Sequence, residues 1–130
     1  MTSAHAVDAK LMVVDDEKDI VDLVAKHLKK NGFDAIGFTD PLAALEDYKA
    51  HASKYALVIT DIRMPGMNGF ELAATMQKIN PSVKVIIMTA IEVLMHEARV
   101  HLPVIIYDDI IRKPAKLPQI CSRVRQALQC

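Results

Sequence analysis

Three carboxylates, a hydroxyl and an ammonium each follow an apolar run in this 130-residue chain. They belong to Asp15, Asp16, Asp61, Thr89 and Lys113. The apolar runs are typical of buried strands, and parallel strands of one sheet end at the same edge. We therefore expect the five side chains to converge on one spot. Carboxylates gathered in this way repel one another unless a positive charge lies among them, so the pattern predicts a cation-bound site.

The cation expected at such a site is Mg²⁺, a hard ion that takes oxygen ligands and keeps several waters. The histidines and cysteines of the chain show no clustering of the kind that zinc requires. Surface charges that cap the following helix are an alternative explanation for Asp15 and Asp16. The presence of Asp61 at another strand end favours the metal site over that alternative.

Lys113 and Thr89 add the donors that bind an oxyanion. Alone, Lys113 is explained by charge balance and Thr89 by its place at a strand end. Beside a metal ion, the two resemble a phosphoryl-binding set, because phosphoryl transfer needs mainly positioning and neutralisation of the equatorial oxygens. A carboxylate can serve as the nucleophile. Asp61 is the best candidate, since it ends a central strand and precedes a flexible Pro-Gly loop.

The elements that must position these residues alternate between strand-like runs and helical periods, which indicates an α/β fold with a parallel sheet. We expect the flavodoxin-like order 2-1-3-4-5, with helices on both faces and the site where strand order reverses. The predicted strands cover 11–14, 33–38, 55–60, 83–88 and 109–112. The predicted helices cover 20–28, 70–79, 91–101 and 117–128, and one more starts at Pro41.

The fifth strand is the ambiguous element. The residues on both sides of Asp108-Asp109 are apolar, at 104–107 and at 110–111, and either half is compatible with a strand. We favour 109–112, because Lys113-Pro114 follows and a proline would end the strand.

Bulk composition indicates a single domain over residues 1–130, with 1–9 as a flexible N-terminal extension. Hydrophobic residues make up 52% of the chain and charged residues 25%, which are globular values. The formal net charge is zero, so no global attraction to nucleic acid or to an anionic membrane is expected. No run approaches the ~20 apolar residues of a membrane span. The N-terminus lacks the apolar segment of a signal peptide, and we expect a cytoplasmic protein.

Four stretches of the sequence carry a family resemblance: Val13-Val-Asp-Asp-Glu17, Asp61-Ile-Arg-Met-Pro-Gly-Met-Asn-Gly69, Met88-Thr-Ala90 and Lys113-Pro114. Together they resemble the receiver domain of two-component response regulators, of the chemotaxis-regulator type. The resemblance runs from about Lys10 to the C-terminus. The string that starts at Asp61 is its most specific part.

For the metal ion, the resemblance implies direct ligation of Mg²⁺ by Asp16 and Asp61. Asp15 would act through a water molecule. The backbone carbonyl of Arg63 would be a further ligand.

For the phosphoryl group, the resemblance implies that Asp61 accepts it from a histidine kinase or a histidine phosphotransfer protein. Thr89 and the backbone amide of Ala90 would bind phosphoryl oxygens, and Lys113 would pair with the group. The Lys113-Pro114 peptide bond is expected to be cis, as in related receivers.

Two departures from the family pattern concern switching and lifetime. Receivers commonly place an aromatic residue three positions before the lysine, where this chain has Ile110; Tyr107 lies three residues further back. We predict that the usual coupling between threonine and aromatic residue is weakened or rerouted. Arg63 and Ile91 occupy the positions that tune dephosphorylation, and their bulk predicts slow loss of the phosphoryl group.

The favoured function is thus a phosphorylation-controlled signalling switch. We do not expect it to be an enzyme; its only expected reactions are autophosphorylation from small phosphodonors and slow autodephosphorylation. A receiver-like interaction module that works without phosphate is the alternative. A third hypothesis is an aspartyl-phosphate hydrolase of another α/β class. Such enzymes generally have a second carboxylate two residues after the nucleophile, where this chain has Arg63. Output is left open between a downstream target protein and a fused output domain, and no direct binding of nucleic acid is expected.

Overall fold

A computed structural model describes residues 9–100 and 107–129, with positions 97–100 described by their backbone alone. Within these ranges, strands and helices alternate along the chain. The strands are β1 Lys10–Val14, β2 Asp34–Phe38, β3 Tyr55–Thr60, β4 Lys84–Ala90 and β5 Asp109–Lys113. The helices are α1 Lys18–Lys30, α2 Pro41–His51, α3 Gly69–Ile79, α4 Ile91–Val100 and α5 Leu117–Gln129, and a short 3-10 turn, Ala52–Lys54, precedes β3. Apart from Ala9 and Tyr107, the extension predicted over 1–9 and the alternative fifth strand at 104–107 lie outside the described residues.

The strands form one parallel sheet in the order β2-β1-β3-β4-β5, which confirms the predicted topology. The last residue of β1, Val14, pairs with Phe38 on one side and with Thr60 on the other. The carboxyl ends of the central strands therefore lie at one edge of the sheet. Strand order reverses between β1 and β3, where ligands bind in folds of this kind.

Helices cover both faces of the sheet, which explains why the interiors of the central strands are apolar at successive positions, as at 11–14, 57–59 and 85–88. Along β1, Leu11 and Val13 point into the cluster that α1 and α5 cover, whereas Met12 and Val14 point into the cluster under α2 and α3. These four side chains are buried. The described helices are at most 13 residues long, and none of them is long and apolar enough to cross a membrane.

Local capping chemistry sets the helix starts that lie nearest the site. The side chain of Asp40 accepts a hydrogen bond from the backbone amide of Leu42, and Pro41 occupies the first helical position, as predicted for α2. Asn68 and Glu71 form a reciprocal capping box at α3. This box starts α3 at Gly69, one residue before the predicted start.

β5 forms where the sequence favoured it and extends one residue further, to Lys113. Just before it, the backbone amide of Asp108 donates to the Val85 carbonyl over 2.7 Å, and the Asp108 carboxylate accepts from the Val85 amide over 2.8 Å. Arg123 of α5 donates two hydrogen bonds to Asp109. The two aspartates therefore fix β5 to the strand and the helix beside it.

Candidate functional site at the carboxyl edge of the sheet

The strand ends bring Asp15 and Asp61 side by side at the reversal of strand order. The amide of Asp15 donates to the carbonyl of Phe38 over 3.2 Å, and the amide of Asp61 donates to the carbonyl of Val14 over 3.0 Å. These bonds continue the ladders by one residue beyond the strands. The backbone of both aspartates is thus held by the sheet, and both side chains are buried.

The Asp61 carboxylate accepts three hydrogen bonds. Its Oδ1 accepts from the Ile62 amide over 2.7 Å and from the Thr89 hydroxyl over 2.6 Å. Its Oδ2 accepts from the Lys113 ammonium over 2.8 Å. Thr89, at the end of β4, and Lys113, at the end of β5, therefore meet Asp61, as the sequence predicts.

Lys113 lies between carboxylates. Its Nζ is 2.6 Å from Asp15 Oδ2, 2.8 Å from Asp61 Oδ2 and 3.7 Å from Glu17 Oε1, and its side chain is 16% exposed. Burial alone would lower the pKa of Lys113, but the hydrogen bonds to Asp15 and Asp61 outweigh it and raise the pKa above its usual value. The ammonium therefore stays charged at neutral pH.

Asp15 is the most buried of the acidic residues at the site. Burial raises the pKa of its carboxyl, and the hydrogen bonds from Lys113 and from the Glu17 amide oppose that rise. Its Oδ1 and Oδ2 are both engaged by these donors. Asp15 is therefore tied to Lys113, while Asp16 is exposed.

The three carboxylates of Asp15, Asp16 and Asp61 form a donor set that suits a hard cation. Each residue offers one oxygen, and these oxygens lie within 4.8 Å of one another. Mg²⁺ prefers carboxylate oxygens and keeps several waters, and the exposed position of Asp16 leaves the set open to water on one side. The residues present therefore fit the implied ion.

The remaining predicted positions lie around this cluster. Arg63 is exposed on the loop after β3, and Ala90 ends β4 beside Lys113 in the sheet register. The Lys113-Pro114 bond is cis, which confirms that prediction. Ile91, which starts α4, is half-buried.

Ile110, at the position of the usual aromatic residue, faces the core. It is partly buried and packs against the cluster under α2 and α3, as do Val93 and Leu94 of α4. Tyr107 lies before β5, and 38% of its surface is exposed.

Gly69 contributes to the site in a way that the sequence did not predict. Its amide donates to the Ile62 carbonyl over 2.7 Å. A Cβ atom at this position would lie 1.9 Å from the Asp61 carbonyl oxygen, closer than any real contact. Only glycine lets the start of α3 approach the backbone of Asp61 in this way. The signal was present, since Gly69 closes the most specific motif string.

Glu17 is a second residue at the site for which the sequence predicted no role. It lies just after the paired aspartates and directly before α1, and its carboxylate is close to Lys113. The motif includes Glu17, but the sequence does not predict that its side chain lies close to Lys113, which is 96 positions later.

An apolar cavity opens beside the site. It has a volume of about 440 Å³ and lies between α1 and α5, with Lys113 and Pro114 in its wall. Leu23 of α1 lines it and is 57% exposed. A hydrophobic surface therefore adjoins the acidic cluster on the α1 side.

Comparison with known proteins identifies the family. The model of the response regulator receiver domain matches residues 11–125. The transcriptional regulatory protein TctD of Salmonella typhimurium is 32% identical over 120 residues, which are 92% of this chain and 52% of TctD. The heme response regulator HssR of Staphylococcus epidermidis is 31% identical over 118 residues, which are 91% of this chain and 50% of HssR. The chain spans about half the length of these curated relatives.

Solved structures agree with the fold. A response regulator receiver domain protein from Clostridium thermocellum has a TM-score of 0.82 at 24% identity, with 93% of this chain and 94% of that chain covered. The response regulator TrrA of Thermotoga maritima, solved in complex with Mg²⁺ and beryllium fluoride, has a TM-score of 0.78 at 28% identity, with 92% and 98% covered. With the family model matched over most of its length, this chain belongs to the response regulator receiver domain family.

Proposed function

We propose that this receiver domain is a phosphorylation-controlled switch in which Asp61 accepts a phosphoryl group in a Mg²⁺-dependent reaction. The observation that carries the proposal is the environment of the Asp61 carboxylate. It lies within 2.8 Å of both the Thr89 hydroxyl and the Lys113 ammonium, and it shares an acidic cluster with Asp15 and Asp16. A nucleophile, an oxyanion-binding pair and a cation-binding set therefore occupy one site.

In this mechanism an oxygen of Asp61 forms a bond to phosphorus as the bond from phosphorus to the donor atom breaks. The donor nitrogen or oxygen leaves with the electron pair of that bond. Lys113 then pairs with the phosphoryl oxygens, and Thr89 donates its hydroxyl hydrogen to one of them. The Ala90 amide would bind another phosphoryl oxygen, and the register that pairs Ala90 with Lys113 supports this role.

The metal ion would be held by Asp16 and Asp61 directly, by Asp15 through water and by the carbonyl of Arg63. When bound, it supplies positive charge to the equatorial oxygens of the phosphoryl group. TrrA, which was solved in complex with Mg²⁺ and beryllium fluoride, supports the choice of Mg²⁺ as the metal.

The phosphodonor that we propose is the phosphohistidine of a histidine kinase or of a histidine phosphotransfer protein. The apolar cavity between α1 and α5 offers such a protein a hydrophobic contact beside Lys113. We place this exchange in the cytoplasm and assign residues 1–130 to a single receiver domain. Output would come from a downstream target protein or from a fused output domain, without direct contact between this chain and nucleic acid.

Incubation of the chain with Mg²⁺ and acetyl phosphate tests the proposal, with intact mass and peptide mapping as readouts. We expect one added phosphoryl group on Asp61, none in the Asp61→Asn variant and none when a chelator removes the metal. An unmodified chain that still binds its partner would instead indicate an interaction module. Rapid release of inorganic phosphate in many turnovers would indicate a hydrolase.

A further inference from the structure

Lys113 is held by the same carboxylates that would bind the metal ion. Its ammonium donates to Asp15 over 2.6 Å and to Asp61 over 2.8 Å, and both residues belong to the acidic cluster. A divalent cation in that cluster would compete with the Lys113 ammonium for the same carboxylates. Two positive groups only a few ångströms apart also repel each other. Metal binding and the present position of Lys113 therefore oppose one another.

A displaced ammonium needs another anion, because an unpaired charge in a largely buried position is costly. Glu17 is placed to be that anion. Its Oε1 lies 3.7 Å from Lys113 Nζ, beyond hydrogen-bond distance but within reach of a small movement. Its side chain is 64% exposed, so it has room to adjust.

The side chain of Glu17 is also not used by the helix that it precedes. Glu17 is the N-cap residue of α1, yet its side chain makes no capping hydrogen bond to that helix. The side chain of an N-cap residue commonly accepts a hydrogen bond from one of the first free backbone amides of the helix. Here the carboxylate is instead close to Lys113.

We propose that Glu17 is a positioning residue that receives the Lys113 ammonium when a cation occupies the cluster of Asp15, Asp16 and Asp61. This inference rests on the proposed function, because it takes that cluster as the metal site. Glu17 then favours metal binding by stabilising the lysine that has been displaced. It also keeps the ammonium beside the site until a phosphoryl group arrives.

A double-mutant cycle on the full chain tests the inference, with the Kd for Mg²⁺ measured by titration calorimetry. Glu17→Gln should weaken Mg²⁺ binding about two- to fivefold, the range expected for an exposed charge pair. Lys113→Gln should tighten it, because the competing cation is gone. In the Lys113→Gln background, Glu17→Gln should then have no further effect. Equal weakening in both backgrounds would mean that Glu17 acts on the metal itself, and would overturn the inference.

A second measurement avoids the risk that removal of Lys113 disturbs the fold. The ¹³C resonance of the Lys113 ε-carbon, assigned by its absence in Lys113→Arg, reports on the surroundings of the ammonium. When Mg²⁺ is added, we expect this resonance to move to the same chemical shift in the wild type and in Glu17→Asp, because a carboxylate pairs with the ammonium in both. In Glu17→Gln, which lacks that carboxylate, we expect it to move to a different chemical shift. The same shift in all three proteins would contradict the role of Glu17.

Labelling of Asp61 by acetyl phosphate separates the two proposals. If wild-type Asp61 is phosphorylated but the cycle shows no coupling between Glu17 and Lys113, only the present inference fails. If the coupling is found but Asp61 stays unmodified, the proposed function fails instead. Absence of Mg²⁺ binding by all four proteins would overturn the inference.

Discussion

At the scale of single residues, the position of the acceptor depends on backbone contacts as well as on polar neighbours. The amide of Asp61 is fixed by Val14, and the Thr60 hydroxyl donates to its carbonyl over 2.8 Å. Gly69 packs against that same carbonyl. Small errors in the placement of a reacting group are costly in rate, so we expect these contacts to affect chemistry as well as stability.

Gly69→Ala should therefore destabilise the fold by about 3 kcal/mol or more, because the new methyl group meets the Asp61 backbone, which cannot move aside. Gly32→Ala is the matched control. Gly32 has a φ of +92° and open space around it, so alanine there should cost only about 1 kcal/mol of conformational energy. Urea unfolding measures both. A smaller loss for Gly69→Ala than for Gly32→Ala would contradict this account.

The lifetime of phospho-Asp61 is predicted to depend on Arg63 and Ile91. Both are bulky; Arg63 follows Asp61 by two positions and Ile91 follows Thr89 by two, and we expect their side chains to hinder the water that would attack phosphorus. Arg63→Asn and Ile91→Glu should each speed the decay of phospho-Asp61 severalfold, whereas Ile91→Leu, which keeps an apolar side chain of the same size, should not. Decay is followed after removal of the phosphodonor. Unchanged or slower decay in the first two variants would count against the prediction.

At the scale of elements, the sequence predicts the helices and strands whose ends are set by nearby residues. α2 begins at the Asp40-Pro41 signal, and α1 ends before Gly32, whose positive φ suits glycine. The β5 segment was ambiguous, because its limits depend on contacts that are distant in sequence. Asp108 bonds to Val85 and Asp109 to Arg123, and neither contact can be read from periodicity.

The pair of Asp109 and Arg123 gives a pH-dependent prediction. The hydrogen bond from Arg123 lowers the pKa of Asp109 below its usual value. A lowered pKa means that the carboxylate stabilises the fold above the unfolded pKa of about 3.9, and that this stabilisation is lost as pH falls towards the folded pKa. Asp109→Asn should cost about 1 kcal/mol at neutral pH, and its difference from the wild type should narrow below about pH 4.

Urea unfolding between neutral and acidic pH measures this difference. Asp22→Asn is the control, because the pair of Lys18 and Asp22 is exposed and should contribute little. A difference between wild type and Asp109→Asn that widens in acid would show that the pair does not act as described.

The position of Ile110 bears on the coupling between Thr89 and an aromatic residue. Ile110 lies with Val93 and Leu94 against the core, and Tyr107 is exposed outside the strand. We still predict that the usual coupling between threonine and aromatic residue is weakened or rerouted. A crystal structure with Mg²⁺ and beryllium fluoride should therefore show Tyr107 still exposed. Rotation of Tyr107 inward beside Thr89 would refute the prediction.

At the scale of the whole molecule, the parallel sheet assembles the site from strand ends that are far apart in sequence. Asp15 and Lys113 are 98 positions apart, and their charged groups lie 2.6 Å apart. The convergence was predictable because parallel strands end at one edge of a sheet. The sharing of Lys113 among Asp15, Asp61 and Glu17 was not, since strand order alone does not fix side-chain partners.

The central claim is that Asp61 carries the phosphoryl group as an acyl phosphate. Borohydride reduces an acyl phosphate of aspartate to homoserine, so trapping followed by peptide sequencing identifies the modified residue. After treatment with Mg²⁺ and acetyl phosphate, we expect homoserine at position 61 in the wild type and none when the metal is chelated. Homoserine at position 15 or 16, or at no position, would contradict it.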